Sequence, residues 1–89
     1  MHAVVVRVNV HDGEAAGEAL RATVVPQVSS APGFVCGYWT RKEGTHTGLS
    51  MMLFESQEAA QAVSERLGSM DAEAVTVDDI EVREVVASA

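Results

Sequence analysis

Apolar residues at the start of the sequence alternate as they do in a β-strand. Every second residue from Val4 to Val10 is valine, so these four side chains share one face of residues 3–10. Arg7, Asn9 and His11 fall on the opposite face, which becomes polar toward its carboxyl end. An all-valine face must pack against a hydrophobic layer, so we expect this strand to lie in a sheet covered on that side.

Two helices are predicted by apolar residues that recur about every four positions. Asp12 is placed to accept hydrogen bonds from the free amides at the start of the first helix. Pro26 falls inside the first apolar stripe and lacks a backbone donor, which predicts a kink or an end of the helix near Val25. Ser56 is the predicted cap of the second helix, which should run to about Leu67.

Three further strands are predicted at residues 34–41, 48–55 and 75–86. The first two are joined by a loop at residues 42–46 and form a hairpin, and residues 68–71 should end the second helix. The element order is therefore βαββαβ. With right-handed crossovers, this order predicts an α+β, ferredoxin-like fold with a four-stranded antiparallel sheet and both helices on one face.

The third strand is apolar on both faces, which predicts a homodimer. Leu49, Met51 and Leu53 lie on one face, and Met52 and Phe54 lie on the other. The chain's own helices cover only one face of the sheet, so the other face needs a second layer. A second copy of the same sheet, packed through the sheet faces in a two-fold dimer, is the simplest supplier.

Composition narrows the function classes. One domain spanning residues 1–89 is expected from the length, and a hydrophobic content of 47% is too high for a disordered chain. The formal net charge of −7, with scattered basic residues, argues against nucleic acid and anionic membrane as partners.

The amino-terminal strand does not resemble a signal peptide, because Arg7 and Asn9 interrupt its apolar run. No stretch of the sequence is apolar for long enough to cross a bilayer. The single cysteine, Cys36, cannot form an internal disulfide, which suits a reducing compartment. We therefore predict a cytoplasmic location.

Two segments carry a family resemblance. They are "VVPQVSSAPGFVCGYW", a helix end that runs through Pro-Gly-Phe into an aromatic strand, and "GLSMMLFESQEAA", a strand that ends in Phe-Glu-Ser before an Ala-rich helix. With the first and last strands, they resemble the antibiotic-biosynthesis-monooxygenase-like (ABM-like) group of the dimeric α+β barrel superfamily. This resemblance implies the same dimeric fold. The superfamily includes cofactor-free monooxygenases acting on aromatic polyketides, haem-degrading enzymes, isomerases and many small proteins without an assigned activity, so the fold does not choose among them.

In such a dimer we expect a ligand cleft on the sheet face directed away from the helices. Arg7, Asn9 and His11 point there from the first strand by alternation. On the second strand, alternation groups Phe34 with Tyr38 and separates both from Trp39, but leaves open which set faces the cleft. The candidate catalytic residues are Asn9, Trp39 and His46, and the candidate ligand-binding residues are Arg7, His11, Tyr38, Met52 and Phe54.

The roles of these residues follow from the resemblance. Family monooxygenases hold an acidic aromatic substrate with Asn, Trp, Tyr or His, and the substrate meets oxygen as a carbanion. Asn9 would then stabilise developing oxyanion charge, Trp39 would stack on the rings, and His46 would act as a base. The simpler alternative places Trp39 in the core or dimer interface and Asn9 at a solvated edge.

No metal site or cofactor is predicted, because the histidines lack a partner at ligand spacing and Cys36 has no neighbouring cysteine. Haem ligation by His46 or His11 is an alternative, since some relatives bind haem. The acidic net charge argues against it, because haem carries two propionates. Arg7 either forms an ion pair across the dimer interface, with Glu81 or Glu84 as candidates, or receives an anionic ligand.

Three functions follow from these alternatives. The first is a non-catalytic protein that binds a small apolar or aromatic ligand. The second is a cofactor-independent monooxygenase that oxidises an aromatic polyketide-like or quinol substrate, and the third is a haem-binding or haem-degrading protein. The sequence leaves open whether the chain is an enzyme.

Overall fold

The computed structural model describes residues 1–69 and 75–89 and confirms the predicted βαββαβ order. Residues 70 and 71, part of the predicted end of the second helix, lie outside the described residues. The elements are β1 (His2–Val10), α1 (Gly13–Ala19), a π-helical segment (Leu20–Val24), α2 (Val25–Ser29), β2 (Phe34–Arg41), β3 (Thr47–Phe54), α3 (Gln57–Ser69) and β4 (Val75–Glu84).

The four strands form one antiparallel sheet in the order β2-β3-β1-β4. β1 and β3 are the two central strands, and β1 pairs with both β3 and β4. This is the predicted α+β, ferredoxin-like arrangement. No helix in the described part of the chain is long and apolar enough to span a membrane.

The hydrophobic core lies between the sheet and the helices. Val4, Met52 and Phe54 are its largest fully buried side chains, and Ala60 and Val63 cover them from α3. These strand residues share one face of the sheet, since Val4 pairs with Met52 across β1 and β3. The burial confirms that the valine face of β1 is the face that the helices cover.

The first helix continues past Pro26, so of the two predicted outcomes near Val25, a kink or an end, the end is wrong. The Val25 amide donates to the carbonyl of Leu20, five residues back, which is a π-helical hydrogen bond. α2 then begins at Val25 with Pro26 in its first turn, where the missing backbone donor leaves no partner unsatisfied. The helix accommodates the proline through a change of hydrogen-bond pattern and ends at Ser29.

A β-bulge in β2 corrects the predicted alternation of that strand. The register with β3 shifts between Phe34 and Cys36, so Phe34 lies opposite Phe54. The two phenylalanine rings meet edge to face with centroids 5.8 Å apart. Phe34 therefore packs on the helix-covered core together with Trp39, whereas Tyr38 lies on the other face with 67% of its surface exposed.

Candidate functional site

A cavity with a volume of about 370 Å³ lies between the first helix and the sheet. Val6, Val8 and Val10 of β1 line it from the sheet side. The facing residues of α1 include Gly13, Ala16 and Gly17. These residues are small, so the helix leaves space where larger side chains would close the core.

An aromatic wall comes from β2. Trp39 lines the cavity opposite the valines, and its ring lies against Gly37, because a Cβ added at Gly37 would be 2.9 Å from the Cη2 atom of Trp39. A strand residue with a side chain would push the indole away. Ser50, which is 8% exposed, and Met52 complete this side of the cavity from β3.

Two arginines line the same cavity. Arg41 extends from the end of β2 over α1, where a Cβ at Gly13 would lie 2.5 Å from its Nη1 atom. Arg21, in the π-helical segment, folds back on Gly17, whose added Cβ would be 3.4 Å from its Nη1 atom. Both side chains are exposed, and neither forms an ion pair with a carboxylate of the described residues.

The cavity lies on the opposite side of the sheet from the predicted cleft. We expected the cleft on the face directed away from the helices, whereas this cavity is on the helix-covered face. A second depression of about 330 Å³ lies on the open face, where Arg7, Thr40 and Leu49 line it, so the predicted cleft stays a prediction.

The physical reason for the cavity on the helix-covered face is the run of small residues on α1, which helical periodicity alone treats as part of an apolar stripe. Glycines at positions 13 and 17, one helical turn apart on the sheet-facing side, were the signal in the sequence. Arg21, Arg41 and Ser50 were missed for the same reason.

Of the three candidate catalytic residues, the cavity includes only Trp39. Asn9 is half-buried on β1 and does not line it. His46 also lies outside the lining, with its Nδ1 atom 3.2 Å from the carbonyl oxygen of Val10. The structure therefore does not bring Asn9, Trp39 and His46 together around this cavity.

Of the candidate ligand-binding residues, only Met52 lines the cavity. Phe54 is fully buried in the core. His11 lies beyond the end of β1, where its Nε2 atom is 2.5 Å from Oγ1 of Thr76. Arg7 and Tyr38 are exposed and do not line the cavity.

Within one chain, Arg7 forms no ion pair with Glu81 or Glu84 of the described residues, and the predicted pair across a dimer interface stays a prediction. Glu81 instead accepts a hydrogen bond from Nε of Arg83, at 2.6 Å. This bond and the charge of Arg83 hold the pKa of Glu81 below its usual value of 4.5, with a smaller contribution from the charge of Arg7. The stability that Glu81 contributes is therefore present at neutral pH and is lost as the pH falls through its lowered pKa.

Comparison with solved structures gives several likenesses over nearly the whole chain. SnoaB, a cofactor-independent oxygenase from Streptomyces nogalater, is 20% identical, with a TM-score of 0.71 over 98% of this chain and 94% of SnoaB. A point mutant of MhuD, a heme-degrader from Mycobacterium tuberculosis, is 21% identical, with a TM-score of 0.69 over 100% of this chain and 98% of MhuD. HapK from Hahella chejuensis is 12% identical, with a TM-score of 0.69 over 100% of this chain and 96% of HapK.

These likenesses confirm the predicted α+β, ferredoxin-like fold. No protein-family model matches the sequence, and no curated protein matches it. At identities near 20%, the shared fold does not carry an activity from one protein to another.

The cavity does not fit haem, although MhuD holds haem in its active site. No histidine, cysteine or tyrosine of the described residues lines it, and Met52 alone is not a usual haem ligand, since methionine serves beside histidine in cytochromes. His11 and His46 lie outside the lining. Residues 1–69 and 75–89 also hold no group of three or more His, Cys, Asp or Glu side chains that could bind a metal ion.

Proposed function

We propose that this chain binds a planar, largely apolar aromatic molecule in the cavity between its first helix and its sheet. The main support for this proposal is a cavity of about 370 Å³ that has Trp39 on one side and the valines of β1 on the other. Ligand pockets are usually apolar clefts of roughly 300–1,000 Å³ with a few polar groups, and this cavity has that character. An indole face favours an aromatic partner, because offset rings attract each other beyond the area they bury.

The proposal includes a homodimer formed through the sheet face that the helices leave open. Tyr38, Leu49 and Met51 lie together on that face and are 67%, 43% and 43% exposed. Three large apolar side chains at neighbouring positions form a patch typical of an interface. The proposal also retains a cytoplasmic location, which the free thiol of Cys36 supports.

Fluorescence of Trp39, the only tryptophan, tests ligand binding directly. We expect 2-naphthol and larger hydroxy-aromatics to change its emission saturably at micromolar concentration. The Ala16→Leu variant fills the cavity and should weaken binding at least tenfold, whereas Ala62→Leu changes an exposed alanine on α3 and should bind as the wild type does. A wild-type emission that no hydroxy-aromatic changes would contradict the proposal.

A second candidate function is cofactor-independent oxygenation of the bound aromatic molecule. The likeness to SnoaB favours it, together with the position of Trp39 in the cavity. In such a reaction the deprotonated ligand supplies the electrons, one oxygen atom of O₂ enters the product, and the other leaves as water. Among the described residues, the cavity contains no carboxylate or imidazole to act as the base, so ligand binding without catalysis is the first candidate.

Oxygen uptake separates the two functions. Anthrone, whose enol form is a hydroxyanthracene, should be converted to anthraquinone with one O₂ consumed per molecule if the chain is an oxygenase. The Ala16→Leu variant is the control for the spontaneous reaction, because it keeps the surface and removes the cavity. Binding of hydroxy-aromatics with an oxygen uptake equal to this control would leave binding as the function.

A further inference from the structure

The charges around the cavity are opposite to those of the whole chain. The sequence contains 13 acidic and 6 basic residues. In the described part of the chain, however, the charged residues that line the cavity are Arg21 and Arg41, and no Asp or Glu lines it. A cavity lined by one sign of charge raises the local concentration of ligands with the other sign.

The two guanidinium groups are held over neighbouring glycines of one helix. Gly13 and Gly17 are one turn apart, so Cβ atoms at these positions would be about 6 Å from each other. The Nη1 atoms of Arg41 and Arg21 lie 2.5 Å and 3.4 Å from those Cβ positions. The nitrogens are therefore separated by at most about 12 Å, and both exposed side chains can turn toward one acidic group between them.

Gly13 leaves the room that the Arg41 guanidinium occupies. An alanine at position 13 would displace the Arg41 guanidinium, because 2.5 Å is far below any normal carbon–nitrogen contact. Arg21 and Arg41 have no carboxylate partner among the described residues. Their donors are consequently free to meet an anion, and a guanidinium binds a carboxylate through two parallel hydrogen bonds.

We propose that Arg21 and Arg41 form an anion subsite at the edge of the cavity, so that the ligand is an aromatic compound with a carboxylate or a similarly acidic group. The rings pack between Trp39 and the valines of β1, and the acidic group binds the guanidinium groups over α1. This inference rests on the proposed function, since it specifies the class of ligand that occupies the same cavity.

Two probes with the same ring system test the subsite. 3-Hydroxy-2-naphthoate is an anion at pH 7, whereas 2-naphthol is neutral, and Trp39 emission reports the binding of either one. We expect wild-type protein to bind the naphthoate at least tenfold more tightly than 2-naphthol. Added salt should reduce this preference, because the two arginines are exposed.

Variants that remove one positive charge test which arginines cause the preference for naphthoate. Arg21→Gln and Arg41→Gln should each weaken naphthoate binding about tenfold and change 2-naphthol binding less than twofold, since a charge-assisted hydrogen bond is lost only with the anion. Arg83→Gln removes the same charge from β4, outside the cavity, and should leave both affinities unchanged. Equal loss of naphthoate binding in Arg83→Gln would overturn the subsite in favour of a general charge effect.

A displacement variant tests position rather than charge. Gly13→Ala retains both arginines and moves the Arg41 guanidinium, so the preference for naphthoate should fall, but by less than in Arg41→Gln, because the displaced side chain keeps its charge near the cavity. Gly68→Ala is the control, because its added Cβ meets only the Cδ1 atom of Ile80, at 3.8 Å. Unchanged preference in Gly13→Ala would show that the glycine does not set the subsite.

The outcomes separate the two proposals. Equal affinity of wild-type protein for both probes overturns the anion subsite and leaves the aromatic cavity intact. A preference for naphthoate that survives in the Arg21→Gln, Arg41→Gln double variant also overturns the subsite. Binding of neither probe overturns the ligand cavity, and the subsite with it.

Discussion

At the residue scale, the position of Trp39 depends on the absence of a side chain at Gly37. A Cβ there would be 2.9 Å and 3.1 Å from two atoms of the indole and 3.3 Å from Cγ of Met52. The indole lies on the strand because this glycine leaves room, and the ring is thereby turned toward the first helix. Tyr38, the next residue, takes the opposite face.

The Gly37→Ala variant should therefore displace the Trp39 ring. We expect the free energy of unfolding to fall by about 1–3 kcal/mol, the usual cost of overpacking. We also expect weaker binding of 2-naphthol, because the displaced indole enters the cavity. Urea unfolding and the Trp39 titration measure the two effects. Gly68→Ala should change neither quantity by more than about 1 kcal/mol, and a Gly37→Ala protein as stable as the wild type would contradict the packing described for Trp39.

At the element scale, the first helix consists of three segments, α1, the π-helical segment and α2, which make different contacts. α1 carries the small residues that leave the cavity open, and the π-helical segment carries Arg21. α2 returns to the core through Val28, which is buried. A π-turn adds one residue to the helical turn and so changes the direction in which later side chains point. The amino-terminal end of the first helix therefore lines the cavity, and its carboxyl-terminal end packs on the core.

Two helix caps provide a matched comparison of these elements. The Asp12 carboxylate accepts a hydrogen bond from the Ala15 amide at 3.1 Å, and the Ser56 hydroxyl accepts one from the Ala59 amide at 3.1 Å. Asp12→Ala and Ser56→Ala should each lower the free energy of unfolding by about 1 kcal/mol.

Ligand binding should distinguish the two caps. Asp12→Ala should weaken the binding of neutral 2-naphthol more than Ser56→Ala does, because α1 forms much of the cavity wall, whereas α3 contributes only Leu67, far along the helix from Ser56. Urea unfolding and Trp39 fluorescence measure the two quantities on the same samples. An equal effect of both variants on naphthol binding would mean that overall stability, and not the order of α1, controls the cavity.

At the scale of the whole molecule, the open face of the sheet determines the assembly that we propose. On β2 and β3, apolar side chains that point to the open face alternate with side chains that point to the helices. The described helices lie on the other side of the sheet and do not cover the open face. A second sheet of the same kind would bury Tyr38, Leu49 and Met51 in both copies at once.

The Met51→Lys variant tests this assembly. We expect wild-type protein to sediment with the mass of two chains and the variant to sediment with the mass of one, because each dimer would bury two unpaired charges. Ala62→Lys adds the same charge on the outer surface of α3 and should remain dimeric. A monomeric wild-type protein at micromolar concentration would contradict the dimer, while the cavity within each chain would be unaffected.

The sequence by itself determined the fold. Alternating valines on β1, the apolar hairpin strands and the helical stripes each follow a local period, so they predict elements and their order without knowledge of the neighbours. The capping roles of Asp12 and Ser56 were predictable for the same reason, since a cap involves residues only three positions apart.

Only the tertiary structure decided which side of the sheet contains the cavity. A void depends on the sizes of side chains that face each other from elements far apart in the chain, such as Gly17 and Trp39, and no local period reports it. The bulge after Phe34 likewise appears only when β2 is paired with β3, and it changes which residues share a face. The position of Arg41 at the cavity was likewise not predictable from the sequence. Arg41 is on β2 and contacts Gly13 on α1, so this contact depends on how the two elements pack.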